Sequence, residues 1–128
     1  MDVQNGSKDN GAKIIQYPLH GGDNQIFRLH SADSGYYFIE NKKSGLVLDV
    51  ANASKENSAH LIQHKKHGGT NQQFKIEQIK KGLYRIFARH SLKVFDVSNA
   101  SKEKSTTVVQ FEYHGGENQQ FRFLEASG

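Results

Sequence analysis

Three histidines, three asparagines and three aspartates recur in this chain at one fixed interval, and these are residue types from which metal sites, acid–base pairs and polar pockets are made. His20, His67 and His114 each open a His-Gly-Gly-x-Asn-Gln-x-Phe stretch that carries Asn24, Asn71 or Asn118. The steps are 67 − 20 = 47 and 114 − 67 = 47 residues. Asp2, Asp49 and Asp96 keep the same step, each preceded by an apolar residue and followed by Val. Repetition without a net insertion implies three structural units of one kind.

Three imidazoles related by a threefold would make a metal site if they converged. They stand in Gly-rich loops, however, which places them at the surface and away from a common axis, so the expectation is a rim position for each, with no metal and no other cofactor. Catalysis is excluded on a similar ground. A catalytic site is a single asymmetric constellation of groups tuned to different pKa values, whereas these residues come in equivalent sets. The chain has no cysteine nucleophile, no Gly-x-Ser-x-Gly and no phosphate loop. It is expected not to be an enzyme.

The elements that carry these residues read as short strands. After each Asp-Val comes a polar turn, Asn5-Gly6-Ser7, Asn52-Ala53-Ser54 or Asn99-Ala100-Ser101. These triplets match the glycosylation pattern, but in-register repetition favours one inherited turn whose side chains bond back to the backbone. An apolar strand follows in Lys13 to Tyr17, His60 to His64 and Thr107 to Phe111. The paired glycines then allow backbone angles that other residues resist. Beyond them Gln25 to Leu29, Gln72 to Ile76 and Gln119 to Phe123 alternate polar and apolar, so Phe27, Phe74 and Phe121 are expected in the core, facing the same way as Leu29, Ile76 and Phe123. Gln25, Gln72 and Gln119 are assigned to the scaffold, bonding the loop and steadying the Asp.

A fourth strand occurs only twice, at Gly35 to Glu40 and Gly82 to Phe87, which makes eleven strands in all. No segment has sustained helical periodicity. Three units of about four strands predict a closed all-β structure, a β-trefoil with repeats 1–34, 35–81 and 82–128 in one domain over 1–128, the first repeat lacking its first strand. Met1 takes the place of Leu48 and Phe95, so either a longer parent chain or a homo-oligomer contact is expected to cover the first unit.

Composition sets outer limits. A chain of 128 residues supports one core. The net charge of +4 comes from 17 basic and 13 acidic residues, with no basic run longer than Lys65-Lys66 or Lys80-Lys81, which argues against nucleic acid as a partner. Without cysteine there are no disulfides or thiolate metal sites, and the compartment stays open. No stretch is long and apolar enough to insert in a membrane, and no signal peptide is visible. An extracellular or cell-surface-facing location is expected only if the chain belongs to a larger secreted protein.

The Asp-Val strand end, the Asn-x-Ser turn, the apolar-apolar-Gln-aromatic strand and the closing Gly-Gly-x-Asn-Gln-x-Phe together resemble the ricin-B-type lectin repeat, with Gln-x-Phe in place of Gln-x-Trp. The resemblance covers essentially the whole chain. It implies a β-trefoil with up to three shallow carbohydrate sites, commonly for galactose or N-acetylgalactosamine, on glycoproteins, glycolipids or polysaccharides. Carried over by position, the first site is Asp2, Tyr17 and Asn24, the second Asp49, His64 and Asn71, and the third Asp96, Phe111 and Asn118, with His20, His67 and His114 on the rims. The carboxylate would accept from neighbouring sugar hydroxyls, the amide would donate and accept, and the aromatic would cover the apolar face of the ring. Asp2→Ala is then expected to remove one site and leave the fold intact. Tyr17, with both a ring and a hydroxyl, ranks the first site highest, followed by the third with Phe111, and His64 places the second last in the ranking.

Three departures accompany the resemblance: Ile15, Ile62 and Val109 stand where the family often has Gln, Phe replaces Trp, and the cysteine pairs are missing. The alternative reading is a non-catalytic β-trefoil that binds a protein or a sulfated polysaccharide.

Overall fold

The computed structural model describes residues 1–124, in which strands are joined by loops and, at six connections, by single 3₁₀ turns, with no α-helix among the described residues. The eleven strands are β1 (Asp2–Val3), β2 (Ile14–Ile15), β3 (Phe27–Ser31), β4 (Tyr37–Asn41), β5 (Val47–Val50), β6 (Leu61–His64), β7 (Phe74–Lys80), β8 (Leu83–Ala88), β9 (Val94–Val97), β10 (Val108–Phe111) and β11 (Phe121–Arg122). Among the described residues no helix is long and apolar enough to cross a membrane.

The pairing repeats with the sequence. β1–β2, β5–β6 and β9–β10 are antiparallel hairpins that set Asp2 opposite Ile15, Asp49 opposite Ile62 and Asp96 opposite Val109. The turn within each hairpin places Asn5, Asn52 and Asn99 at φ 59°, 58° and 57°, the left-handed region that Asn tolerates because its side chain can bond locally. A second ring of contacts closes the figure: Lys13 bridges Ile62, His60 bridges Val109 and Thr107 bridges Ile15. Each bridge is the previous one moved on by one unit. This is a β-trefoil.

The core follows the same rule. Val3 and Val50, Ile14, Leu61 and Val108, and Leu48 and Phe95 are all fully buried, and the ring of Phe74 meets Phe95 edge-on at 5.1 Å. Phe27 and Phe121 are half-buried and pack against the same cluster. One expectation fails here. Ile76 and Phe123 turn inward beside their phenylalanines, but Leu29 is 51% exposed. β4 pairs with both β3 and β7, and β8 with both β7 and β11, whereas among the described residues no strand bridges β11 and β3. Leu29 lies beside that place and loses its cover.

His60 is half-buried near the ring of bridges, its Nδ1 has no hydrogen-bond partner, and burial, helped by the charge of Lys13, lowers its pKa from the ordinary histidine value. The unfolded chain therefore takes up a proton at this side chain before the folded one does. Stability is complete above the unfolded pKa of about 6.5 and is lost as pH falls below it. In thermal melts between pH 7 and pH 5 (the window around that value), His60→Thr, which copies Thr107, is expected to flatten the acid-side decline. An unchanged slope would remove His60 from the account.

Candidate functional site

Each Asp reaches its place through the hairpin register, which leaves it almost buried: the side chains of Asp2, Asp49 and Asp96 are 4%, 4% and 5% exposed. A carboxylate so placed needs donors. Asn24, Asn71 and Asn118 donate from Nδ2 to Oδ1 at 3.1, 3.2 and 3.0 Å. Gln25, Gln72 and Gln119 donate from Nε2 to Oδ2 at 3.0, 2.9 and 2.9 Å. The same glutamines accept at Oε1 from the backbone N–H of His20, His67 and His114, so one side chain fixes both the loop and the acid.

The asparagine amides are fully committed, since each Nδ2 also donates to the carbonyl of Val3, Val50 or Val97. Both amide hydrogens are therefore used. What remains for a ligand is the Asn Oδ1 as acceptor and the open lone pair of Asp Oδ1, so the expected amide donation to a ligand is not available without breaking this network.

The two glycines of each loop serve different ends. Gly21, Gly68 and Gly115 have φ of 77°, 83° and 79°, where a side chain is strained. Gly22, Gly69 and Gly116 have ordinary angles, with φ near −67°. Their requirement is space: a Cβ would stand 2.7, 2.7 and 2.6 Å from the histidine Cε1 and within about 3.0 Å of the asparagine Oδ1. The backbone N–H of the second glycine donates to the histidine Nδ1 at 3.0 Å in all three loops. That bond assigns the ring proton to Nε2, which faces the Asp carboxylate at 3.4, 3.5 and 3.6 Å.

Beside each imidazole stands the third member of the set. The ring pairs Tyr17–His20, His64–His67 and Phe111–His114 meet edge-on at 5.9, 6.0 and 6.3 Å. All twelve residues singled out in the sequence thus gather into three equivalent groups of four. In the third unit the group lines an open depression of about 250 Å³ with Ser58 and Asn99 on its walls.

Ser58 belongs to the preceding unit, and sequence reading missed how it arrives. Gln63 donates through Nε2 to the carbonyls of Ser7 and Asp9, Gln110 to those of Ser54 and Glu56, and Gln16 to those of Ser101 and Glu103. Beside each group a segment of the neighbouring unit is therefore clamped by a buried or half-buried glutamine, and in the third unit that segment forms a wall of the depression. The signal was the Gln before Tyr17, His64 and Phe111, repeated in register.

The three histidines do not come together; each stays with its own Asp. Among the described residues, Asp49, His64 and His67 of the second unit present ligand atoms within 4.8 Å of one another, the one such group. A metal on His67 Nε2 would require that nitrogen's proton to move to Nδ1, where the Gly69 N–H already donates. The group is built as a hydrogen-bonded pair beside a second imidazole, and a metal would have to break the loop to bind.

The class is that of β-trefoils with one polar-aromatic group per unit. The family model for the ricin-type β-trefoil lectin domain-like proteins matches residues 1–64, 23–112 and 70–128, and the chain belongs to that family. Among solved structures it is similar to ThreeFoil, a designed 3-fold symmetric protein, at 45% identity and TM-score 0.94, covering 98% of this chain and 89% of that one. It is also similar to the exo-β-1,3-galactanase 1,3Gal43A from Clostridium thermocellum, at 40% identity and TM-score 0.92, covering 94% of this chain but 26% of the galactanase. The ricin B-like lectin of Macrolepiota procera, solved in complex with lactose, shares the fold at 18% identity and TM-score 0.77, with 94% and 82% of the two chains covered. No curated protein sequence matches the chain. The fold and family support a carbohydrate-binding lectin module.

Proposed function

We propose that this chain binds glycans containing galactose or N-acetylgalactosamine through three shallow sites, one in each of the repeats 1–34, 35–81 and 82–128. The observation that carries the reading is the threefold set of a carboxylate, an amide oxygen and an aromatic face, held by buried bonds that leave only their outer edges free. The carboxylate accepts from one sugar hydroxyl and the Asn oxygen from the next, while Tyr17, Phe111 or the His64 imidazole covers the apolar face of the ring. Solved relatives include a galactanase and a lectin complexed with lactose, which supports galactose as the sugar.

Each site offers a few hydrogen bonds and one stacking face, so its affinity is set at about millimolar, with tight attachment coming from several sites at once. Tyr17 ranks the first site highest. The test is a glycan array with the isolated protein, backed by retention on galactose-agarose. Retention that free lactose elutes supports the proposal; retention on heparin that salt removes and no sugar competes would replace it with a polyanion-binding module.

A further inference from the structure

The outer wall of each pocket is delivered by one backbone bond: Gly11 N–H to the Gln63 carbonyl, Ser58 to Gln110 and Ser105 to Gln16, each at 2.8 Å. The residue just before that bond is Asn10, Asn57 or Lys104. Asn10 accepts at Oδ1 from the backbone N–H of Lys65 at 2.8 Å, and Asn57 from that of Glu112 at 3.0 Å. The residue equivalent to Lys65 and Glu112 is Pro18, the only proline in the chain, which has no N–H to offer. An asparagine at position 104 would have nothing to accept from. A lysine stands there instead, with Nζ 5.9 Å from the centroid of the Tyr17 ring.

The second and third sites thus have a neutral amide at this rim position, spent on the backbone, whereas the first has a cation beside its aromatic floor. Tyr17 is 41% exposed and its ring meets His20, which faces Asp2. Among the described residues no carboxylate lies within 4.0 Å of Lys104 Nζ. A separate groove that shares Tyr17 is lined also by Lys102 and Arg122, with Glu117 as its acidic residue. Along that groove two basic residues stand against one acidic residue, and Lys104 adds a further cation beside the Tyr17 ring.

We infer that the first site favours an anionic galactoside, in which a carboxylate or sulfate on or next to the galactose meets Lys104. The inference rests on the sugar-binding proposal above and adds a ligand class for one site. An exposed pairing of this kind corresponds to about 2- to 5-fold in affinity, weakened as salt rises.

The test isolates the first site with the double variant His64→Ala/Phe111→Ala and titrates lactose, sulfated lactose and sialyllactose at low ionic strength. At least one anionic sugar is expected to bind about 2- to 5-fold tighter than lactose, and the two titrations separate sulfate from carboxylate. Lys104→Gln should bring the ratio of anionic to neutral affinity to one, and Lys104→Arg should keep it. Lactose binding with no anionic preference, or a preference that survives Lys104→Gln, overturns this inference alone. If neither lactose nor an anionic sugar binds to the folded double variant or to the folded parent protein, the sugar-binding proposal falls as well.

Discussion

Asp49→Ala is expected to lower the unfolding midpoint by roughly 10 °C while it empties the second site, an effect larger than a surface ligand-binding residue would have. The carboxylate accepts from Asn71 and Gln72 and faces His67, and its side chain is 4% exposed. Removing it strands those donors at a cost of about 1–3 kcal/mol per unpaired group. Asp49→Asn should not restore the loss, because its amide would set a donor against the donors of Asn71 or Gln72. The expectation from sequence that Asp2→Ala leaves the fold intact is to be weighed against the same bonds around Asp2, whose carboxylate accepts from Asn24 and Gln25. Thermal melts decide the matter: a midpoint within about 2 °C of the parent would mean that the network is not holding the hairpin.

A protein reduced to its first site is expected to lose about 10²-fold in retention on a surface dense in galactose, while its solution affinity for free lactose stays at about millimolar. The reductions must be made at the aromatic positions. His64 and Phe111 are half-buried and sit outside the carboxylate network, so His64→Ala and Phe111→Ala remove a stacking face without stranding buried donors. Surface plasmon resonance at high and low galactose density measures both quantities. Equal retention of parent and double variant at every density would mean that the second and third sites do not contribute.

Much of the fold was legible because the repeat carried it. One step of 47 residues placed Asp2, Asp49 and Asp96 at equivalent ends of equivalent hairpins, and eleven strands stand where eleven were expected. The site residues were legible for the same reason, as chemistry repeated in register. The connections between units were not. Gln63 reaches back to Ser7 and Asp9 across more than 50 positions, and no local pattern announces such a bond. The direction of the asparagine amide was hidden as well, since Asn71 reads alike whether its hydrogens face a ligand or the Asp49 carboxylate. Leu29 was misplaced because alternation assigns a side chain to a face and says nothing of whether a neighbouring strand covers that face.

The central claim is that sugar binds at three equivalent places defined by the Asp, Asn and aromatic sets, and the most direct test is a lactose titration followed by backbone amide NMR. The signals of Gly22, Gly69 and Gly116 and of their neighbours are expected to shift together along saturable curves at about millimolar lactose. Shifts that cluster away from these three loops, or no shifts at all up to about 50 mM lactose, would contradict it.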